Sequence, residues 1–107
     1  MTTNTRTDIR LPRDNDSDLL VRSPRLRAEA SSYEEGKLRW TELRLWTSLD
    51  GTTIAEQVGI SNSHKEHDRC KAWVCESDEQ VVEALRRGWL ARRLFKMAGI
   101  DDTTVVL

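Results

Sequence analysis

The stretch Leu38–Ile60, LRWTELRLWTSLDGTTIAEQVGI, decides the fold because two alternating runs flank the dipeptide Asp50-Gly51. Asp-Gly between alternating runs is a strong hairpin signal, since a two-residue type I′ turn needs positive φ at both central positions. Such a turn predicts that Leu45 lies opposite Glu56. Directly opposed residues share one face of a sheet. The predicted aliphatic face therefore contains Leu43, Leu45, Leu49, Ile54, Val58 and Ile60.

The other face of this hairpin is predicted to be aromatic and charged, with Leu38, Trp40, Glu42, Arg44 and Trp46. A third strand is expected over 69–75, after a polar loop. Its even-numbered residues suit the aliphatic face: Cys70, Ala72 and Val74. Its odd-numbered residues would join the aromatic face: Arg69, Lys71 and Trp73. The sequence thus predicts a three-stranded antiparallel meander from 37 to 75.

The aromatic face has two interpretations. It is either a packed layer covered by a helix or by the N-terminal arm, or an open binding surface formed by Trp40, Trp46 and Trp73 with Arg44, Arg69 and Lys71. Trp and Arg are enriched at the energetic centres of protein interfaces. Aromatic rings beside cations also stack nucleobases. Because the region 36–107 has 11 basic and 11 acidic side chains, a protein partner is favoured over nucleic acid.

A helical segment is expected over 77–98. Ser77 and Gln80 match a capping box. The apolar stripe changes sides at Gly88, so a break near Gly88 is predicted, with helices of about 78–87 and 89–98. Gly99 should end the second helix, with Ile100 making the hydrophobic contact of a Schellman motif. Together with the meander, this segment predicts an α+β fold.

The helical segment over 77–98 is predicted to have a basic side. Arg86, Arg92, Arg93 and Lys96 fall together on a helical wheel, and no acidic residue occurs between positions 84 and 100. One interpretation is a solvated face with cations near the helix C-terminus. The other is a docking patch for an acidic protein surface or a phosphate backbone.

Residues 1–35 differ in composition from the rest and are interpreted as a polar N-terminal arm, with the single domain over 36–107. The arm has six Arg and seven acidic residues but no Trp or Phe. Such a composition buries little apolar surface, so residues 1–17 are expected to be disordered. Ser23-Pro24 and Gly36 are typical helix boundaries and predict a short helix between them, although its charges oppose the helix dipole.

The whole chain has 107 residues, of which 33% are charged and 37% hydrophobic, with 17 basic and 18 acidic side chains. This length fits one domain. No apolar run reaches the roughly 18 residues of a membrane span, and the first twenty residues contain no signal-peptide core. We therefore expect a cytoplasmic protein with no membrane contact.

All histidines and cysteines fall in one short stretch, as His64, His67, Cys70 and Cys75. Two His and two Cys form a tetrahedral zinc site in many small modules. The spacing differs from that of zinc fingers, and a difference of five positions directs two strand cysteines to opposite faces. These four residues are therefore weak metal candidates, and no metal or other cofactor is expected.

Catalysis is not expected. The five glycines are scattered, so no phosphate-binding loop is present, and His67 and Cys70 have no evident orienting third group. The interpretation favoured is a non-catalytic binding protein that acts by stoichiometric contact, with a protein partner. Small charged accessory proteins of phages and mobile elements, including inhibitors, offer an analogy. The alternatives are a single-stranded nucleic-acid binder and a small zinc module, and the oligomeric state stays open.

Overall fold

The computed structural model of the chain describes residues 8–63, 67–86, 88–103 and 106. It is an α+β fold, as predicted, but it contains a four-stranded and a two-stranded sheet and not the single three-stranded meander expected from the sequence. A two-stranded antiparallel sheet joins β1 (Ile9–Leu11) to β2 (Leu19–Val21). A four-stranded antiparallel meander follows, formed in order by β3 (Arg25–Ser31), β4 (Arg39–Thr47), β5 (Thr53–Ser61) and β6 (Arg69–Cys75). The chain continues into α1 (Asp78–Leu85) and α2 (Trp89–Ala98).

The predicted β4–β5 register is wrong by one residue because the turn is a three-residue loop. The N–H of Gly51 donates to the Ser48 carbonyl at 3.0 Å, and the N–H of Ser48 donates to the Thr52 carbonyl at 2.9 Å. Gly51 has φ +90°, as in a type I turn that ends in a G1 bulge. The Ser48 hydroxyl and the Thr52 amide hydrogen-bond to Asp50, which lowers the pKa of that carboxyl to about 2.

In the observed register, β4 is offset by one residue relative to β5, which changes the residues that share each face. Leu45 pairs with Ala55 and Arg44 pairs with Glu56, so the aliphatic residues are divided between two faces. The face that carries Leu43, Leu45 and Ala55 packs on the helices and is called the helix face. The face that carries Ile54, Val58 and Ile60 is called the hairpin face, because β1 and β2 pack on it. The single aliphatic face predicted from the sequence is therefore wrong, and Leu49 lies exposed in the turn.

The main core lies between the helix face and the two helices. Phe95, Leu94, Val81 and Leu45 are its largest fully buried side chains. Leu43, Val82 and Leu85 are also buried in this cluster. Ala55 of β5 is fully buried in this cluster.

A smaller core lies on the opposite side of the sheet. Leu11 and Val21 from the β1–β2 hairpin are buried against Ile54 and Ala72, with Trp46 packed at the margin of the cluster. This hairpin lies within residues 1–35, which the sequence predicts to be a polar arm. The expectation of disorder over 1–17 is therefore wrong for β1, while residues 1–7 lie outside the described part of the chain.

The helix expected between Ser23-Pro24 and Gly36 is also wrong, because Arg25–Ser31 forms the edge strand β3. A register shift between Leu26 and Ala28 leaves Arg27 in a bulge. The Arg27 guanidinium donates to the Ala98 carbonyl at 3.0 Å and lies 3.7 Å from an Asp78 carboxylate oxygen. One strand residue thus contacts the end of α2 and the start of α1.

The helix boundaries agree with the predicted signals. The Ser77 hydroxyl accepts a hydrogen bond from the Gln80 amide at 3.2 Å, and α2 begins after Gly88. Gly99 has φ +73°, and the N–H of Ile100 donates to the Phe95 carbonyl at 2.8 Å. Within the described part of the chain, no helix is both long and apolar enough to cross a membrane.

The β6 edge of the large sheet is covered at one end by the chain after β1. The backbone N–H of Asp14 donates to the Cys70 carbonyl, and the Asp14 carboxylate accepts from the Cys70 N–H, both at 3.0 Å. Ala72, further along β6, is buried under the hairpin. The β1–β2 hairpin is therefore tied to the edge of the sheet as well as to its face.

A matched pair of substitutions tests the observed register. Leu45→Asp should abolish cooperative unfolding, because a charge buried without a partner costs about 5 kcal/mol, comparable to the stability of a small domain. Leu49→Asp should keep the wild-type melting temperature, since Leu49 is 75% exposed. Thermal unfolding followed by circular dichroism measures both, and equal losses in the two variants would contradict the observed faces.

A pair of glycine substitutions tests the turn. Gly51→Ala should lower the free energy of unfolding by about 1 kcal/mol, because alanine is strained at this positive φ. Gly59→Ala should raise it by about 0.5 kcal/mol, since its new Cβ would contact the Arg69 Cβ at an ordinary 3.6 Å and Ala lowers unfolded-state entropy. Urea denaturation measures both, and a neutral Gly51→Ala would argue for a different turn.

Candidate functional site

The hairpin face carries one cation that is shared by three carboxylates. Arg44 on β4 donates from Nε to Glu29 at 2.8 Å and from Nη1 to Glu56 at 3.4 Å, and its Nη2 donates to Glu42. Glu29 and Glu56 are its direct cross-strand neighbours on β3 and β5. All three guanidinium nitrogens are therefore engaged within the sheet.

The charge state of Arg44 follows from these contacts. Burial on its own lowers the pKa of Arg44, but the hydrogen bond to Glu29 and the charges of Glu56 and Glu42 outweigh it, so the pKa is raised. The guanidinium stays charged, and the group as a whole has one positive charge against three carboxylates. The excess of negative charge in this group repels phosphate.

The two tryptophans on this face take part in the same network. The Trp46 indole N–H donates to Glu56 at 2.9 Å, and the Trp40 indole N–H donates to Glu42 at 3.1 Å. Tyr33 packs edge-on against Trp40, with ring centroids 4.7 Å apart. Both indoles are half-buried. These hydrogen bonds and ring contacts indicate that both tryptophans stabilise the sheet.

The three tryptophans and three cations that the sequence predicts on one face do not lie together, because the observed register divides them between the two faces of the sheet. Trp73 lies on the helix face and packs against the main core, opposite to Trp40 and Trp46. Arg69 and Lys71 alternate with Cys70 along β6, so they also lie on the helix face. Both cations are exposed and form no ion pair with any described residue.

The predicted basic side of the second helix is exposed on α2. Arg92, Arg93 and Lys96 are all exposed, while Arg86 precedes the helix and ends α1 with φ +65°. Arg92 lies 3.7 Å from an Asp102 carboxylate oxygen. Arg93 and Lys96 form no ion pair with any residue in the described ranges. Three of the four predicted cations therefore lie together, two of them unpaired.

Sequence reasoning missed Trp89, the first residue of α2, which is 64% exposed. On one helical wheel for the whole segment 77–98, Trp89 falls together with the apolar residues of α1. Met97, two turns further along α2, is exposed as well. Since residues four apart lie on one helix face, Trp89, Arg93 and Met97 form a stripe. This stripe with the neighbouring Arg92 and Lys96 is called the α2 docking face.

A cleft connects Trp89 to the uncovered end of the helix face. It has a volume of about 220 Å³ and includes Thr41, Gln57 and Leu43 from the sheet and Trp89 and Leu90 from α2. A second cavity of about 370 Å³ shares Ser32 and Thr41 with it and reaches Gly59 and Arg69. The two cavities contain no carboxylate among the described residues that line them.

The histidines and cysteines are not brought together within the described ranges. Cys70 lies on the hairpin face and Cys75 on the helix face, and His67 is exposed. His64 lies outside the described residues. Burial, followed by the charges of Asp14 and Asp68, raises the pKa of Cys70, and burial raises that of Cys75. In the described ranges, no three His, Cys, Asp or Glu residues form a potential metal site.

Comparisons of the chain with protein-family models, with curated proteins and with solved structures find no match.

Replacing Arg44 tests whether the hairpin-face network is structural. Arg44→Met should lower the free energy of unfolding by about 3 kcal/mol, because it leaves the nearly buried Glu56 without its cation. The double variant Arg44→Met/Glu56→Gln should recover part of this loss, which urea denaturation measures. Arg10→Met, at an exposed arginine, is the control. A wild-type midpoint for Arg44→Met would show that the network contributes nothing to stability.

Proposed function

We propose that the chain is a non-catalytic binding protein that acts by stoichiometric contact with a protein partner, through the α2 docking face. The observation that carries this proposal is Trp89, which is 64% exposed on the same helix as Arg93 and Lys96, two cations that form no ion pair with any described residue. Trp, Arg and Met are the residue types enriched at protein interfaces, and an exposed Trp is a typical energetic centre.

The charge of the α2 docking face favours an acidic partner. Arg92, Arg93 and Lys96 lie on a helix with no acidic residue. Arg92 lies 3.7 Å from an Asp102 carboxylate oxygen, and Arg93 lines a cavity with Glu29 and Glu42 but forms no ion pair with a described residue. A partner with acidic groups would gain attraction from the two unpaired cations and apolar contact from Trp89. This proposal adds an acidic surface to the protein partner expected from composition. Stoichiometric accessory and inhibitor proteins of phages and mobile elements are an analogy for this mode of action.

A single-stranded nucleic acid is the second candidate, and the same face supports it less well. Stacking of successive bases needs several exposed rings beside a basic groove. Among the described residues, Trp40, Trp46 and Trp73 are half-buried, which leaves Trp89 as the one strongly exposed indole. The net charge of the chain is −1, which provides no strong field for a phosphate backbone.

Charge reversal on α2 tests the proposed function. The immobilised chain should retain a partner from a lysate of the cells that encode it, and Arg93→Glu and Trp89→Ala should each weaken that contact more than tenfold. Arg10→Glu is the matched control, because it makes the same charge change at an exposed residue of β1. Quantitative pull-down with purified partner gives the affinities, and melting temperatures confirm that each variant is folded.

The proposal fails if Arg93→Glu and Trp89→Ala retain the partner with wild-type affinity. It also fails if Arg10→Glu weakens the contact as much as they do, because the effect would then reflect net charge.

A further inference from the structure

The cleft beside Trp89 continues the α2 docking face onto the sheet. Trp89 and Gln57 line the same cleft. Gln57 pairs with Lys71 across the β5–β6 ladder, and Gly59 pairs with Arg69 in the same way. The exposed cations of β6 therefore lie one strand away from the cleft, on the same face of the sheet.

Neutral polar and apolar residues line the path from Trp89 to β6. Thr41, Gln57 and Gly59 of the sheet line this path together with Ser32, which directly follows β3, and all four residues are neutral. Gly59 has no side chain, so it leaves space between Thr41 and Arg69 on the adjacent strands. Leu43, Leu85 and Leu90 give the cleft an apolar side. Apolar and neutral polar groups with flanking cations suit peptide side chains better than a chain of phosphates.

The dimensions of the path suit an extended peptide. From Trp89 to Met97 the docking face spans about 12 Å at the rise of an α-helix, and two strand spacings from β4 to β6 add about 10 Å. An extended chain covers about 22 Å with roughly seven residues. Cations stand toward both ends of this path, with Arg93 and Lys96 on α2 and Lys71 and Arg69 on β6.

We propose that the partner contributes an extended acidic segment of about seven residues, which runs from α2 across Trp89 to Lys71 and Arg69. An apolar residue near its middle packs on the Trp89 indole in the cleft, and carboxylates on either side pair with the two groups of cations. This inference rests on the proposed function and names the chemistry of the partner at the same site. It adds Lys71 and Arg69 to the residues that bind.

Fluorescence anisotropy with labelled octamers tests the acidic segment. The probe is an Asp/Glu peptide with a central Phe, and the comparison peptides carry Asn/Gln in place of the acids or Ala in place of Phe. The acidic peptide should bind saturably and weaken at least fivefold between about 50 mM and 300 mM salt, as screening predicts. The Asn/Gln peptide should not bind, and the Ala peptide should bind at least threefold more weakly.

Variants locate the binding path. Lys71→Glu and Arg93→Glu should each weaken the acidic peptide at least fivefold, with Lys71→Gln giving a smaller loss and Arg10→Glu no loss. Wild-type affinity in Lys71→Glu would overturn the path across the sheet. Absence of acidic-peptide binding would overturn the acidic segment. Tighter binding of an oligothymidylate octamer with the same variant dependence would assign the site to nucleic acid instead.

The two proposals can fail separately. If the purified natural partner depends on Arg93 and Trp89 but not on Lys71, the docking face stands and the extended segment is wrong. If the partner depends on none of the three residues, the proposed function itself is wrong.

Discussion

The pairing of Arg44 with Glu56 across β4 and β5 is the interaction on which the rest of the structure depends. The predicted register would place Glu56 opposite Leu45, in the core beneath the helices, where a carboxylate without a cation would be very costly. The observed register places Ala55 there instead, and a small side chain leaves room for α1 and α2. The bulged turn at Gly51 supplies the one-residue offset that makes this arrangement possible.

The same residue types have different roles on the two sides of the sheet. On the hairpin face, Arg44, Trp40 and Trp46 hydrogen-bond to glutamates within the fold, and their polar groups are occupied. On the helix side, Trp89 and Arg93 have no such partners within the described residues. The proposed binding surface therefore lies where cations and an indole lack partners among the described residues, rather than where such residues are most numerous along the sequence.

The sequence predicted strands β4 to β6, the break at Gly88 and the ends of both helices, because these depend on local signals. The register could not be predicted, since Asp-Gly occurs in two-residue type I′ turns and also in three-residue loops with a bulge. Trp89 was misplaced because the break at Gly88 resets the rotation of the helix, so one wheel cannot describe both halves. The β3 strand was missed because its pairing with β4 is a tertiary contact that outweighs the local Pro and Gly signals.

The contact between Asp14 and Cys70 has a consequence for how copies of this chain behave at high concentration. An edge strand with free amide and carbonyl groups is a template for a strand from another molecule. Here one residue occupies both groups of Cys70, and the hairpin buries Ala72 beside it. Asp14 and the β1–β2 hairpin therefore protect this part of β6 from pairing with a strand of another molecule.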